Sequence, residues 1–442
     1  HWCHVMKRET YGDPRVRRIL ARSFLPVDVD ADARPDLAER FRRYRWPTTA
    51  FLTPEGEPIL ALRGHRYPPK FVEILEDVER RVRRGGPYPG FAEPSAPGGD
   101  RPSVDAAGLR RLRDRLRQKL DSVWDDARAG WGTKQKYPVP EPVEYGLLLA
   151  QIDPTDARPV QRSLRTLVAT EALIDPVWGG VYQYSVGPTW TEWHPEKIMS
   201  VNAGALRTFA LAARLDAGQR ATWTGNARSV VDWLDRFMQA PNGLFFATQD
   251  ADAPRMPGER YYRLGDEERR RYGIPEVDRR VFAGANGRIA QALVTLGEVE
   301  RARSLLESLS ALHVTDDGAY RREVASTGPL YLVDQVEVGR ALLAVHQATG
   351  DPAPRREANA LAGVLEARFR DEATGGFFDR TVDSAAFGVF RRRLVSLEPN
   401  ASAARCLLEL AAIEESSRYD AMARAAIRAV ASDAQIDAHL RY

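Results

Sequence analysis

The spacing of apolar residues divides this chain into two regimes. Up to about residue 90 helical and strand periods alternate. A helical stretch over about 4–22 is followed by the apolar, β-rich run "FLPVDVD", a second helix around "RPDLAERFRRY", and two short apolar runs at Thr49–Thr53 and Ile59–Leu62. These runs flank Pro54-Glu55-Gly56-Glu57, whose turn chemistry predicts a hairpin. Phe71, Ile74, Leu75 and Val78 then share one helical face and predict a closing helix. From about 104 onward the period is helical throughout.

Between the regimes, residues 84–105 hold five prolines and five glycines, which neither a helix interior nor a central strand accepts. This predicts domains at 1–90 and 104–442 with a linker at 91–103, and Ser103 as the N-cap of the first long helix. In the second domain the loops repeat one phrase, glycine followed by aromatic or apolar residues: "GWGTKQKYP" (130–138), "WGGVYQYSV" (178–186), "NGLFFATQDAD" (242–252), "DGAYRREV" (317–324) and "GGFFDRTV" (375–382). Successive phrases leave room for one helical hairpin and its loop. Eleven or twelve helices in six hairpins predict an all-α (α/α)6 toroid; a linear solenoid competes, but the loops vary too much in length for a regular one.

Composition narrows the partners. With 442 residues, 43% of them hydrophobic, the chain can bury a large core without covalent staples. No run of about 18 apolar residues appears, so no membrane partner is expected. The 64 basic and 61 acidic side chains are spread evenly, without the basic stripe that a phosphate backbone requires, so nucleic acid is not expected either. Two cysteines, Cys3 and Cys406, fit a reducing compartment and predict a cytoplasmic protein. Only six of the basic residues are lysines, which singles out those lysines that fall in motifs.

Two segments carry candidate chemistry. In "HWCHVM", Cys3 stands where a helix starts, a position that favours a thiolate. His1 and His4 flank it, but no companion cluster among the seven histidines completes a metal site, and no metal or cofactor is expected. Trp46-Pro47 enters the hairpin, a place where a cis peptide beside a reactive cysteine would be functional. In the second domain, "WGGVYQYSVGPTWTEWHPEKIMSVNAG" offers Trp178, Tyr182, Tyr184 and Trp193 for stacking and His194, Glu196 and Lys197 for proton transfer or hydrogen bonding. Lys136 also falls in a motif. Each has a second reading: His194 as a structural cap, Asp250 and Asp252 as turn caps instead of cavity acids, the glycine-aromatic phrases as packing, and Cys406 as a core residue.

The order of these segments resembles the spermatogenesis-associated protein 20 family. The matching residues are His1-Trp2-Cys3-His4-Val5-Met6, Val27-Asp28-Val29-Asp30, Arg34-Pro35-Asp36, Trp46-Pro47 and Phe51-Leu52-Thr53-Pro54. They continue with Gly179-Gly180, Tyr184-Ser185-Val186, His194, Glu196-Lys197, Asn202, Gln249-Asp250-Ala251-Asp252, Asn286-Gly287, Asp334, Gly375-Gly376-Phe377 and Pro399-Asn400. The resemblance implies an α/β thioredoxin-like domain, incomplete at its N-terminus, followed by the six-hairpin toroid shared with glycosidases and N-acylglucosamine 2-epimerases. It also implies a Cys-x-x-Cys motif of which Cys3 is the second cysteine, the first preceding His1. Where the family has Asp-Trp-Asn-Gly, this chain has Gly284-Ala285-Asn286-Gly287, so an acid and a stacking ring are missing there.

Three functions are compatible with these features. The first is thiol-disulfide or thiol-handling chemistry at Cys3 and Pro47, with the toroid recognising a thiol client protein or a sugar-like ligand. The second is a carbohydrate-active enzyme of epimerase or glycosidase type, using His194, Glu196, Asp250 and Asp252, with Lys136, Trp178, Tyr182, Tyr184, Trp193, Lys197, Asn286 and Asp334 around the ligand. The third is a non-catalytic scaffold.

Overall fold

A computed structural model describes residues 2–91, 105–153, 155–432 and 435–436. They fall into two compact units: residues 1–100 with 378–396, and residues 101–377 with 397–442. The linear reading assigned 378–396 to the second domain, whereas the chain leaves that domain after Phe377 and returns to it at Leu397.

The first unit packs helices on a hairpin. Strands β1 (Thr48–Leu52) and β2 (Pro58–Arg63) pair antiparallel, with Gly56 in the left-handed conformation that the connecting turn requires. Helices at Pro14–Ser23 (α1), Pro35–Phe41 (α2) and Pro68–Arg83 (α3) each begin with a proline, whose missing N–H has no intrahelical partner at that position. The core joins Met6, Val16 and Ile19 to Phe51, Ile59 and Leu62 of the hairpin and to Phe71, Leu75 and Val78 of α3. The predicted hairpin and closing helix are thus present, and Ile74 lies at the margin of the core.

Two local expectations change. The single helix over 4–22 is interrupted at Tyr11–Asp13, where Asp13 caps α1 by accepting from the backbone N–H groups of Arg15 and Val16. The run "FLPVDVD" joins no strand among the described residues, and Leu25 within it is 90% exposed. Apolar residues alone do not make a strand without a neighbour to take its N–H and C=O groups. The expected Ser103 cap lies outside the described residues; Asp105 caps the first long helix instead, accepting from Gly108 N–H at 2.7 Å.

The return segment is anchored by charge. Asp36 of α2 and Arg380 are both buried and lie 3.2 Å apart, and Arg40 donates to the Arg392 carbonyl. Asp379 is buried as well, its carboxylate accepting from Leu394 N–H at 3.0 Å.

The second unit contains eleven long helices among the described residues. Six are outer: α4 (Ala106–Ser122), α6 (Arg158–Thr170), α8 (Arg220–Trp233), α10 (Val299–His313), α12 (Pro352–Val364) and α14 (Ser417–Val430). Five are inner: α5 (Pro140–Ile152), α7 (Met199–Leu215), α9 (Ala283–Leu296), α11 (Leu332–Thr349) and α13 (Leu397–Glu414). Each inner helix packs on the next inner one and on the outer helix that follows it. Every glycine-aromatic phrase closes the same short loop, seen in the bridges Trp124 to Trp131, Ile174 to Val181, Gln239 to Phe245, Val314 to Tyr320 and Arg370 to Phe377.

An amide at the fourth position of an inner helix fixes each of the last four loops. Asn202, Asn286, Gln335 and Asn400 accept from the backbone N–H of Val181, Phe245, Tyr320 and Phe377, and donate to the carbonyl of the same residue. A primary amide carries one acceptor and two donors, so it satisfies both polar groups of a buried backbone residue that no strand partners.

Candidate functional site

Cys3 lies in the opening helical turn, Trp2–Val5, which runs into a wide π turn at Met6–Thr10. Its side chain is exposed. The Trp46-Pro47 peptide is cis, and Pro47 is buried at the entry to β1. Tyr11 ties this segment to the hairpin: its hydroxyl lies 2.7 Å from Thr49 Oγ1 on β1, and its ring meets Phe71 edge-on. Burial pushes the Tyr11 hydroxyl above its ordinary value; the Thr49 hydrogen bond opposes this, while the nearby Asp28 and Cys3 add to it. Cys406 is the contrasting thiol, buried on α13 and pushed up to about 12, chiefly by burial. Among the described residues no three His, Cys, Asp or Glu side chains are grouped to hold a metal ion.

Several residues singled out in the toroid are buried framework. Lys197 places Nζ 2.8 Å from Asp175 Oδ2 and 2.7 Å from the Gly179 carbonyl, and none of its side chain meets water. Arg269, equally buried, grips both oxygens of Asp175 at 3.0 and 2.8 Å. Tyr182, Trp233 and Tyr262 face the ammonium, and Trp178 and Tyr262 face the guanidinium at 4.9 Å. Burial pulls Lys197 down to about 8 against the raising effect of Asp175. Lys136 repeats the device one hairpin earlier, 2.8 Å from Asp125 Oδ2 and 2.6 Å from the Gly132 carbonyl. In both ties a compact ammonium with three donors joins a loop aspartate to a loop carbonyl.

Asn286 is one of the four amide clamps. Asp334, buried at the start of α11, accepts from Gly284 N–H and from Arg322, each at 2.9 Å. This accounts for Gly284: a Cβ there would stand 2.7 Å from Asp334 Oδ1. Asp250 and Asp252 take the capping option, accepting from the N–H groups of Asp252 and Gly258, with Asp252 exposed.

The remaining residues cluster on a small hairpin, in which Tyr184–Ser185 (β3) pairs with Trp193–His194 (β4). Tyr137 stacks on Tyr184 at 4.9 Å, and Tyr184 lies 5.0 Å from the His194 ring. His194 Nε2 lies 3.3 Å from Glu196 Oε2. Trp193 is half-buried between Tyr182 and Arg263. These groups form a partly open aromatic ladder with an acid-base pair at one end.

A second polar group was missed by motif reading. The second, sixth and ninth positions of a helix share one face. In the inner helices those positions hold Glu141 and Glu398; Arg288, Glu337 and Ser402; and Arg207, Gln291, Arg340 and Arg405. Glu144, on the fifth position of α5, receives Arg207 at 3.0 and 3.1 Å and Arg405 at 2.8 Å. Glu337 receives Gln291 at 3.1 Å, Ser402 at 2.9 Å and the more distant Arg288 and Arg340, both at 3.5 Å. Arg288 also stands 3.7 Å from Glu398. All five inner helices are thereby joined around a lining of charge.

The acids of this lining differ in environment. Burial alone would raise Glu144, but the Arg207 hydrogen bond and the charges of Arg207 and Arg405 hold it at about 2. Glu141 is raised, by dense surroundings first and then by the neighbouring Glu398 charge, although its side chain is open to water. A carboxyl ringed by protein yet wet lies on the wall of a concave space. The signal in the sequence was the recurrence of charge at fixed positions of otherwise apolar helices.

Residues 1–84 match the family described as "Thioredox_DsbH: Protein of unknown function, DUF255". Human spermatogenesis-associated protein 20 is 24% identical over 290 residues, 59% of this chain and 36% of the human protein. The mouse protein is 24% identical over 286 residues, 58% of this chain and 35% of its own length. The chain thus spans little more than a third of the length of these curated relatives. Among solved structures, a D-mannose isomerase superposes with a TM-score of 0.55 at 10% identity, over 73% of this chain and 85% of that one. A sugar epimerase from a ruminal bacterium does so with 0.57 at 12% identity, over 73% and 85%. At such identities the likeness shows the fold. The chain is therefore similar, at a distance, to spermatogenesis-associated protein 20, with a thioredoxin-like region followed by a six-hairpin helical body.

Proposed function

We propose that this chain is a thiol-handling protein, in which Cys3 reacts with a client disulfide and the toroid recognises a ligand or client. The observation that carries this reading is the exposed Cys3 in a helical first turn of the thioredoxin-like region, which also holds the cis Trp46-Pro47 peptide. In the proposed step the Cys3 thiolate attacks one sulfur of the client disulfide, forming a mixed disulfide and releasing the other sulfur as a thiolate. The first thiol of a dithiol reductant then attacks the Cys3 sulfur, releasing the client fully reduced and leaving Cys3 in a mixed disulfide with the reductant; the reductant's second thiol closes its own disulfide and releases Cys3 as a thiolate.

The test is insulin reduction with dithiothreitol as the electron source. Catalysis above the uncatalysed rate that disappears in Cys3→Ser and persists in Cys406→Ser supports the reading; equal rates with and without the chain refute it.

A second reading is favoured by the His194 and Glu196 pair beside the Tyr184 ring. A sugar ring stacks on an aromatic face while an imidazole and a carboxylate exchange its protons, and isomerase and epimerase are the activities named for the two solved structures of like fold. Proton exchange from solvent D2O into D-mannose, lost in His194→Gln, tests it; no exchange in the unmodified chain excludes it for that sugar.

A further inference from the structure

Donors outnumber acceptors in one closed part of the toroid. Asp175, Lys197 and Arg269 are each wholly buried, so two positive charges share one carboxylate. The rings of Tyr182, Trp233 and Tyr262 lie 5.3 to 5.9 Å from the ammonium and close it off. Outside these rings Asp266 is engaged by Arg270 at 3.0 Å, Arg263 lies over Trp193, and Asp250, half-buried beside Tyr262, accepts from Asp252 N–H. Groups that reach water are screened by it; the buried excess of positive charge is not.

The hydrogen bonds show the same imbalance. Trp233 Nε1 can only donate, and its 2.9 Å bond to Gln249 Oε1 fixes that amide with Nε2 turned away. Gln249 Nε2, the Tyr182 hydroxyl and Trp193 Nε1 are all buried, and each delivers a hydrogen to no acceptor among the described residues. Tyr182 faces Arg269, which is itself only a donor. The three side chains adjoin: Gln249 pairs with Lys197 across a short antiparallel ladder, and the Tyr182 ring lies 5.5 Å from Trp193 and 5.6 Å from the Lys197 ammonium. Unmade donors beside a surplus cation specify their complement, an acceptor that carries negative charge.

The surroundings restrict its kind. Gln249 and Tyr182 are fully buried among rings, where a phosphate or carboxylate would need several directed donors and room for its own atoms. A halide is one sphere without preferred direction, takes N–H and O–H donors from any side, and suits the positive edges of aromatic rings. Solvent comes close on one side: a pocket of about 220 Å3 is lined by Asp175, Trp178 and Gly179, with Arg236 beside them, and Asp175 and the Gly179 carbonyl are the groups that hold Lys197.

We propose that Gln249, Tyr182 and Lys197 form a binding site for one halide ion, chloride under ordinary conditions. The ion accepts from Gln249 Nε2 and Tyr182 Oη and offsets the second buried cation, and it thereby stiffens the loops that Lys197 and Arg269 tie to Asp175. The site is independent of Cys3 and of the charged lining of the inner helices.

Thermal unfolding of the full chain at fixed ionic strength in sodium chloride, bromide or methanesulfonate tests this. Tm is expected to rise saturably with chloride and with bromide and to stay flat with methanesulfonate. Tyr182→Phe removes one donor to the ion and little volume, and should need about tenfold more chloride for half the rise. Crystals grown in bromide supply a readout that needs no variant: an anomalous peak between Gln249 Nε2 and Tyr182 Oη is expected. An ordered water at that point, or bromide at the protein surface only, overturns the proposal, as does the same Tm in all three salts or an unchanged chloride dependence in Tyr182→Phe.

Discussion

Arg405 on the last inner helix of the described toroid stands 2.8 Å from Glu144 on the first. Because Arg207 on the second inner helix grips the same carboxylate at 3.0 and 3.1 Å, one acid joins both ends of the inner series. Helices that are apolar on their other faces need some such device to fix which neighbour follows which, since nonpolar packing alone is permissive.

Removing that acid should cost stability. Glu144→Gln leaves two guanidinium groups facing one another in a half-buried setting and is expected to lower the unfolding free energy by about 2 kcal/mol, less than a fully buried pair because Arg405 partly meets water. The wild-type contribution is also pH-dependent. The folded carboxyl sits at about 2, below its ordinary 4.5, so its stabilisation is complete above 4.5 and is lost as pH falls towards 2. Urea unfolding of both chains across that range should show the difference shrinking with acid.

Asp379 gives the opposite sign. Burial first, and Asp36 nearby, raise its carboxyl from 3.8 to about 7. Between those values the folded chain holds a proton that the unfolded chain has lost, so stability falls as pH rises from about 4 to 7. Asp379→Asn should remove this slope, and the two chains should differ most at neutral pH. Limited proteolysis within 380–393 is a suitable readout, with the native segment cut faster at pH 8 than at pH 5.

The amide clamps predict a structural phenotype at a position that motif reading associated with ligand. Asn286→Ala leaves Phe245 with an unpaired buried N–H and C=O and should destabilise by about 2 to 3 kcal/mol. Thermal unfolding of the two chains measures the loss directly.

Gly284 tests a replacement within the toroid. Gly284→Ala brings a Cβ to 2.7 Å from Asp334 Oδ1 and is expected to cost about 1 to 3 kcal/mol. Asp334→Ala in the same chain should recover part of that loss, because the clash partner is gone; strict additivity in the double-mutant cycle would contradict the contact.

Much of this organisation was written in the sequence. Pro54-Glu55-Gly56-Glu57 between two apolar runs specified the hairpin, and the glycine-aromatic phrases marked the five inner loops. Local chemistry decided both. The return of 378–396 to the first unit was illegible because it rests on Asp36 meeting Arg380 far along the chain, a contact that no local pattern announces. Lys136 and Lys197 stand out in the sequence as rare lysines within motifs, and each makes a buried tie to a loop aspartate that no local pattern announces. The lining of Glu141, Arg288 and Glu398 went unread because its signal is a position repeated across helices, and each residue alone looks like an ordinary surface charge.

The central claim is that Cys3 of the folded chain exchanges with disulfides. Its most direct measurement is the rate of mixed-disulfide formation with oxidised glutathione at neutral pH, followed by mass spectrometry at Cys3 in the native chain and in the urea-unfolded chain. The account predicts a native Cys3 that reacts several-fold faster than the same residue unfolded, with Cys406 silent until unfolding. A native Cys3 that reacts no faster than in the unfolded chain would contradict it.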